Sequence, residues 1–223
     1  MKANHLRSGL IWTFVMGLLL AGVQTQPSYA HPHYWMNLKA DMILDDQGRL
    51  AAIRQRWAFD AYFSMMTVAD AVNEHGDKET GLRNMADQII ANLAKYQYLS
   101  VLTINGTEID LPQPSVYQLT ENTQLEQPVL ELEMRFDIAS PLIIKGKDLV
   151  WSVFDPTYYI AMNYSKVENI SIKGANNTQC QLTLSLPNPS SELTEYAQSL
   201  DRTQKDTGGL GKSFAEKVRI HCV

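Results

Sequence analysis

Over residues 129–138 the chain alternates strictly: Leu130, Leu132, Met134, Phe136 and Ile138 interleave with Glu131, Glu133, Arg135 and Asp137. A period of two puts the apolar set on one face of a β-strand and the charged set on the other. The dry face needs a second layer to cover it, which commits the chain to a sheet packed on something. Met36, Leu38, Ala40, Met42 and Leu44 repeat the period. After the turn residues Asp45-Asp46-Gln47-Gly48 it resumes in Ile53, Trp57 and Phe59 against Arg54 and Arg56, so these segments predict a hairpin. Asn105-Gly106, between residues 99–104 and Ile109-Asp110-Leu111, predicts a second hairpin. Further strands are predicted at 149–154, 158–164, 167–173, 180–186 and 215–222.

Two stretches change to helical spacing. Leu82, Met85, Ala86, Ile89, Ile90 and Leu93 predict a helix, preceded by a shorter one over 64–73 with Glu74-His75-Gly76-Asp77 at the corner. Leu193, Tyr196, Ala197 and Leu200 predict another over 191–204. Their polar faces carry mixed charge, which suits helices that cover a sheet rather than helices that seek a membrane. The expected class is mainly β with accessory helices: an antiparallel β-sandwich with a helical insertion at about 64–96 and a C-terminal helix before the last strand. Thr207-Gly208-Gly209-Leu210-Gly211 lacks the strand-loop-helix context of a phosphate loop.

The amino terminus reads as an export leader. Lys2 and Arg7 precede an apolar core over 10–23, then Gln24-Thr25-Gln26-Pro27, with small residues Ser28 and Ala30 where a signal peptidase reads. The apolar run is shorter than the roughly 20 residues of a membrane span. Residues 1–30 are therefore expected to be a cleaved signal peptide and 31–223 a single periplasmic domain, with no direct membrane insertion after cleavage. The chain has 24 acidic and 19 basic side chains, and the leader takes away two cations and no acid. With no Lys/Arg cluster to meet phosphates, nucleic acid is not an expected partner. Cys180 and Cys222 lack metal-ligand spacing and, in an exported protein, predict a structural disulfide.

Cutting after Ala30 would make His31 the first residue, followed by Pro32 and His33. The new amine and two imidazoles are nitrogen donors, which suit zinc, copper and nickel. Pro32 has no backbone N–H to lose, so square-planar capture through deprotonated amides is blocked. That leaves chelation by the His31 amine and imidazole, with His33 as a further donor and one position for another group or water. His75, beside Glu74 and Asp77, and Asp60 are the candidate additional metal ligands. Zinc is the expected ion, with nickel, cobalt and copper as open alternatives. No nucleophilic triad or cofactor fingerprint is visible, so an enzyme is not expected. A copper oxidase with an N-terminal histidine brace would need His75 or His221 to face His31.

Phe154-Asp155-Pro156-Thr157-Tyr158-Tyr159 is a turn dense in aromatic residues. Asp155 is suited to bind nearby backbone N–H groups. The alternative reading gives Asp155, Tyr158 and Tyr159 a partner-binding role, docking a permease or another envelope partner without metal.

These motifs occur together in a recognisable order. His31-Pro32-His33, Asp45-Asp46-Gln47-Gly48, Trp57-Ala58-Phe59-Asp60 with Phe63-Ser64, Asn92-Leu93-Ala94-Lys95-Tyr96, Phe154-Asp155-Pro156-Thr157-Tyr158 and Phe214-Ala215-Glu216-Lys217-Val218 with Cys222 span most of the chain. In that order they resemble the exported bacterial domain of unknown function 1007 family. The resemblance implies a periplasmic component of the kind labelled ABC-type transport, with some members associated with zinc uptake or with nickel and cobalt permeases. The partners it implies are a metal ion and an inner-membrane metal permease. Relatives can carry an acidic calcium-like loop between the two helices, whereas Gly76-Asp77-Lys78-Glu79 lacks its alternating carboxylates.

Overall fold

A computed structural model describes residues 31–124, 126–175, 179–200, 203–204 and 208–223. The expected leader, residues 1–30, and its cleavage lie outside the described residues. Two sheets face each other. The first contains β1 (Tyr34–Leu44), β2 (Leu50–Ala58), β5 (Val116–Asn122), β6 (Val129–Leu142), β8 (Ile160–Asn163) and β9 (Ile170–Lys173). Its order is β5-β6-β2-β1-β8, with β9 also on β1. The second runs β10 (Cys180–Ser185), β11 (Lys217–Cys222), β7 (Asp148–Val153), β3 (Ser100–Ile104), β4 (Thr107–Ile109).

The alternating segments do what their period requires. Leu130, Leu132, Met134 and Phe136 of β6, Leu38 and Met42 of β1, and Ile53 and Trp57 of β2 are buried in one core with Leu102, Trp151, Val153, Val218 and Ile220 of the second sheet. Both predicted hairpins form, β1 with β2 and β3 with β4. The core also carries a polar chain: Trp57 Nε1 donates to Gln55 Oε1 and Gln55 Nε2 to Ser100 Oγ, each at 2.9 Å. Gln55 thus sits fully buried without leaving a polar atom orphaned at either end of its amide.

The sandwich departs from a purely antiparallel one on the side of β1 away from β2. There β8 and β9 lie parallel to it, Tyr34 opposite Ile160 and Ala40 opposite Ile170. Parallel neighbours need a long connection. A pairing between segments so far apart in sequence leaves no local trace. β5, which flanks β6, also had no counterpart among the predicted strands.

The helical insertion is α1 (Ala61–His75) followed by α2 (Lys78–Leu93). Asp60 caps α1 by accepting from Phe63 N–H, and Asp77 caps α2 by accepting from Thr80 N–H. The helices cross at Gly81, where a Cβ would stand 2.6 Å from the Ala71 side chain. Leu82, Ala86 and Ile90 join the core, so this pair closes one side of the sandwich. α3 (Ser191–Ser199) and the short α4 (Leu210–Ser213) precede β11. Among the described residues, no helix is long and apolar enough to cross a membrane.

On the outer face of the first sheet, Asp41 is buried opposite Arg54 on β2 and Ser171 on β9. Burial alone would raise its carboxyl, but the Ser171 hydroxyl and the guanidinium groups of Arg54 and Arg56 outweigh that and hold it below the usual carboxylate range. A carboxyl depressed in the folded state stabilises above its unfolded pKa, about 3.9, and that stabilisation is lost as pH falls. Asp41→Asn is expected to lower stability at pH 7 by about 2 kcal/mol. It should also flatten the loss of stability below pH 4. Urea unfolding of both proteins at pH 7 and pH 3 checks this; parallel losses would show that Asp41 is not the titrating group.

Candidate functional site

The parallel pairing of β1 with β8 decides what His33 meets. With Tyr34 opposite Ile160, the residues just before each strand come together, and His33 N–H donates to Tyr159 O at 2.9 Å. The three rings of His31, His33 and Tyr159 then cluster. The His31 and His33 centroids are 4.8 Å apart, His33 and Tyr159 4.7 Å, and His31 and Tyr159 5.8 Å. Tyr34 adds a fourth ring, 5.7 Å from Tyr159 and 6.3 Å from Phe63 at the start of α1.

His31 is only 4% exposed. Its Nδ1 lies 3.2 Å from the carbonyl oxygen of Leu200, just past the end of α3. A carbonyl only accepts, so Nδ1 carries the proton and Nε2 keeps its lone pair. Nε2 is buried and, among the described residues, has no hydrogen-bond partner. His33 Nε2 is buried as well. Metal-binding histidines are commonly held this way, one ring nitrogen donating to a carbonyl while the other faces the ion.

This geometry changes the donor set read from the sequence. Only Nδ1 of a histidine can close a chelate ring with its own amine, and here Nδ1 faces Leu200. The other expected ligands form no metal-holding group with His31 and His33 among the described residues. Asp60 caps α1, and His75 ends it, about 22 Å away along fifteen helical positions. One ion cannot reach both. His75 Nδ1 is 3.4 Å from Asn84 Nδ2, its Nε2 is 3.9 Å from Glu74, and Asp77 is occupied as the α2 cap. His221 is exposed near the end of β11, opposite Gln181 and Asp148. Among the described residues, no group of three or more His, Cys, Asp or Glu side chains could hold a metal ion.

The aromatic turn has its own internal logic. The Asp155 carboxylate accepts from Thr157 N–H at 2.9 Å, from the Thr157 hydroxyl and from Ile160 N–H at 3.1 Å. Gly211 presses against this turn, with its N–H donating to Pro156 O at 3.0 Å. A Cβ there would stand 1.8 Å from the Asp155 carbonyl, so only glycine fits. Neighbouring tyrosines then part company. Tyr158 stacks on Phe214 with centroids 4.0 Å apart, in a small second core with Ala197, Leu200 and Leu210. Burial pushes its phenol pKa up. Tyr159 instead joins the histidines. The three residues expected to bind a partner are thus a turn organiser, a packing residue and a wall of the histidine cluster.

Cys180 and Cys222 lie directly opposite each other on β10 and β11 and form a disulfide.

Fold and site together define a two-sheet β protein with a helical side cover and two adjacent histidines, His31 buried and His33 half-buried, where its first described strand begins. The family model of DUF1007, a protein of unknown function, matches residues 16–222, and the chain belongs to that family. A relative from Haemophilus influenzae strain Rd, described as an uncharacterized protein, is 28% identical over 198 residues, covering 86% of this chain and 91% of the relative. No solved structure matches the chain.

Proposed function

We propose that this chain is a non-enzymatic periplasmic accessory protein of a transition-metal transport system, binding zinc through His31 and His33 at the mature amino terminus. The observation that carries this reading is the His31 ring: Nδ1 faces the Leu200 carbonyl, and Nε2 is buried with its lone pair unclaimed among the described residues. Buried polar nitrogens in native proteins nearly always have a partner, and an unclaimed imidazole lone pair is a metal donor. Structural zinc sites are closed by four protein ligands. Two imidazoles leave positions open to water or to a donor from another protein, which suits an ion held for transfer. Docking of a permease through Tyr158 and Tyr159 without metal is less well supported, because Tyr158 is committed to Phe214.

Metal must displace protons from its ligands. An imidazole ligates a metal only through a nitrogen that carries no proton, so protons compete with the ion. Zinc affinity is expected to fall on the order of tenfold or more from pH 8 to pH 6. Competitive zinc titration of the secreted, N-terminally sequenced protein at both pH values tests this; equal affinities would remove the imidazoles from the site.

A further inference from the structure

The outer face of the second sheet holds two adjoining cavities, of about 520 and 600 Å³. Each lies within the roughly 300–1,000 Å³ of small-molecule sites. Lys212, Ala215 and Lys217 line both, so the two lysines stand on the boundary between them. The first cavity has an apolar floor of Val101, Val150 and Phe154. The second includes Ser190, the cap at the positive end of α3.

Charge singles this place out. The chain has more acid than base, yet among the described residues Glu108 is the one carboxylate lining either cavity. Arg219 at the first cavity is held by Asp148 at 3.0 Å. Lys212 and Lys217 are exposed and have no ion-pair partner among the described residues. Two ammonium groups without an ion-pair partner among the described residues, beside a low-dielectric apolar floor, concentrate positive potential where an anion can reach it.

We propose that this face binds an organic anion with an apolar body, its acidic head paired with Lys212 and Lys217 and its body laid on Val101, Val150 and Phe154. The site is separate from the histidine cluster and does not depend on the metal reading. Octanoate, octanol and inorganic phosphate separate the contributions, since they carry both features, the apolar body alone and the charge alone. In calorimetric titration of the whole mature protein, octanoate is expected to bind saturably and at least about tenfold more tightly than either of the others, a ratio equal to about 1.4 kcal/mol. Lys212→Ala with Lys217→Ala should remove that advantage. Lys39→Ala, on the other sheet, should leave it intact. Both lysines are exposed and have no ion-pair partner among the described residues, so the double variant is expected to keep the parent's unfolding midpoint. Octanol or phosphate binding as well as octanoate, or a double variant that binds like the parent, would overturn the proposal.

Discussion

Changing His31 and His33 together to alanine is expected to weaken zinc binding by more than about 100-fold. Loss of a partner that merely orients a metal ligand lowers affinity by about 10–100-fold, and here the ligands themselves are removed. The effect should divide unequally between single variants. His31 has its ring fixed by the Leu200 carbonyl and its Nε2 sealed from solvent, so it is pre-organised and should account for the larger share. Calorimetry with a zinc competitor measures the affinities, and thermal unfolding in the absence of metal separates lost ligands from a lost fold. A double variant that retains parental affinity while remaining folded would move the site away from the amino terminus.

The second large effect is expected from the disulfide. Cys180→Ser with Cys222→Ser opens a loop spanning 42 residues. The chain-entropy account values its closure at about 4 kcal/mol. That is a large share of the roughly 5–15 kcal/mol that holds a domain folded. β10 is an edge strand with β11 as its neighbour in the sheet, so the bridge clamps the one pairing that keeps it in place. α3 and Leu200 follow β10 in the chain, and Leu200 orients His31. Reduction should therefore lower stability in urea by about 4 kcal/mol and loosen zinc in the same protein. A loss below about 1 kcal/mol would mean that the unfolded chain gains little freedom when the bridge is cut.

Local order was readable wherever one strand or helix settles its own residue pattern. The alternation over 129–138 became β6 because its apolar side had a second sheet to meet, and Asn105-Gly106 became the β3–β4 turn because only a few backbone shapes close so short a loop. The run from Leu82 to Leu93 became α2 with the expected inward face. What escaped were pairings between distant segments. Nothing near Tyr34 in the chain indicates that Ile160 will lie beside it. The histidine pair followed the same division. His31 and His33 stood out by residue type, but the group that orients His31 is a main-chain carbonyl, which any amino acid at position 200 would supply. Asp60 stood out equally as a carboxylate, and its position one residue before α1 turned it into a cap. The two tyrosines looked alike as neighbours, and the turn sent Tyr158 into the small second core and Tyr159 against the histidines.

The bond between His31 and Leu200 joins positions 169 residues apart. A chain made from its amino end therefore presents its first donor long before the carbonyl that will aim it has been synthesised. The ring stays unaimed until α3 has folded against the sandwich. If His31 holds zinc as proposed, ion capture is a late event, available only to nearly finished molecules, and a truncated product that ends before residue 200 would carry both histidines without the support that readies one of them.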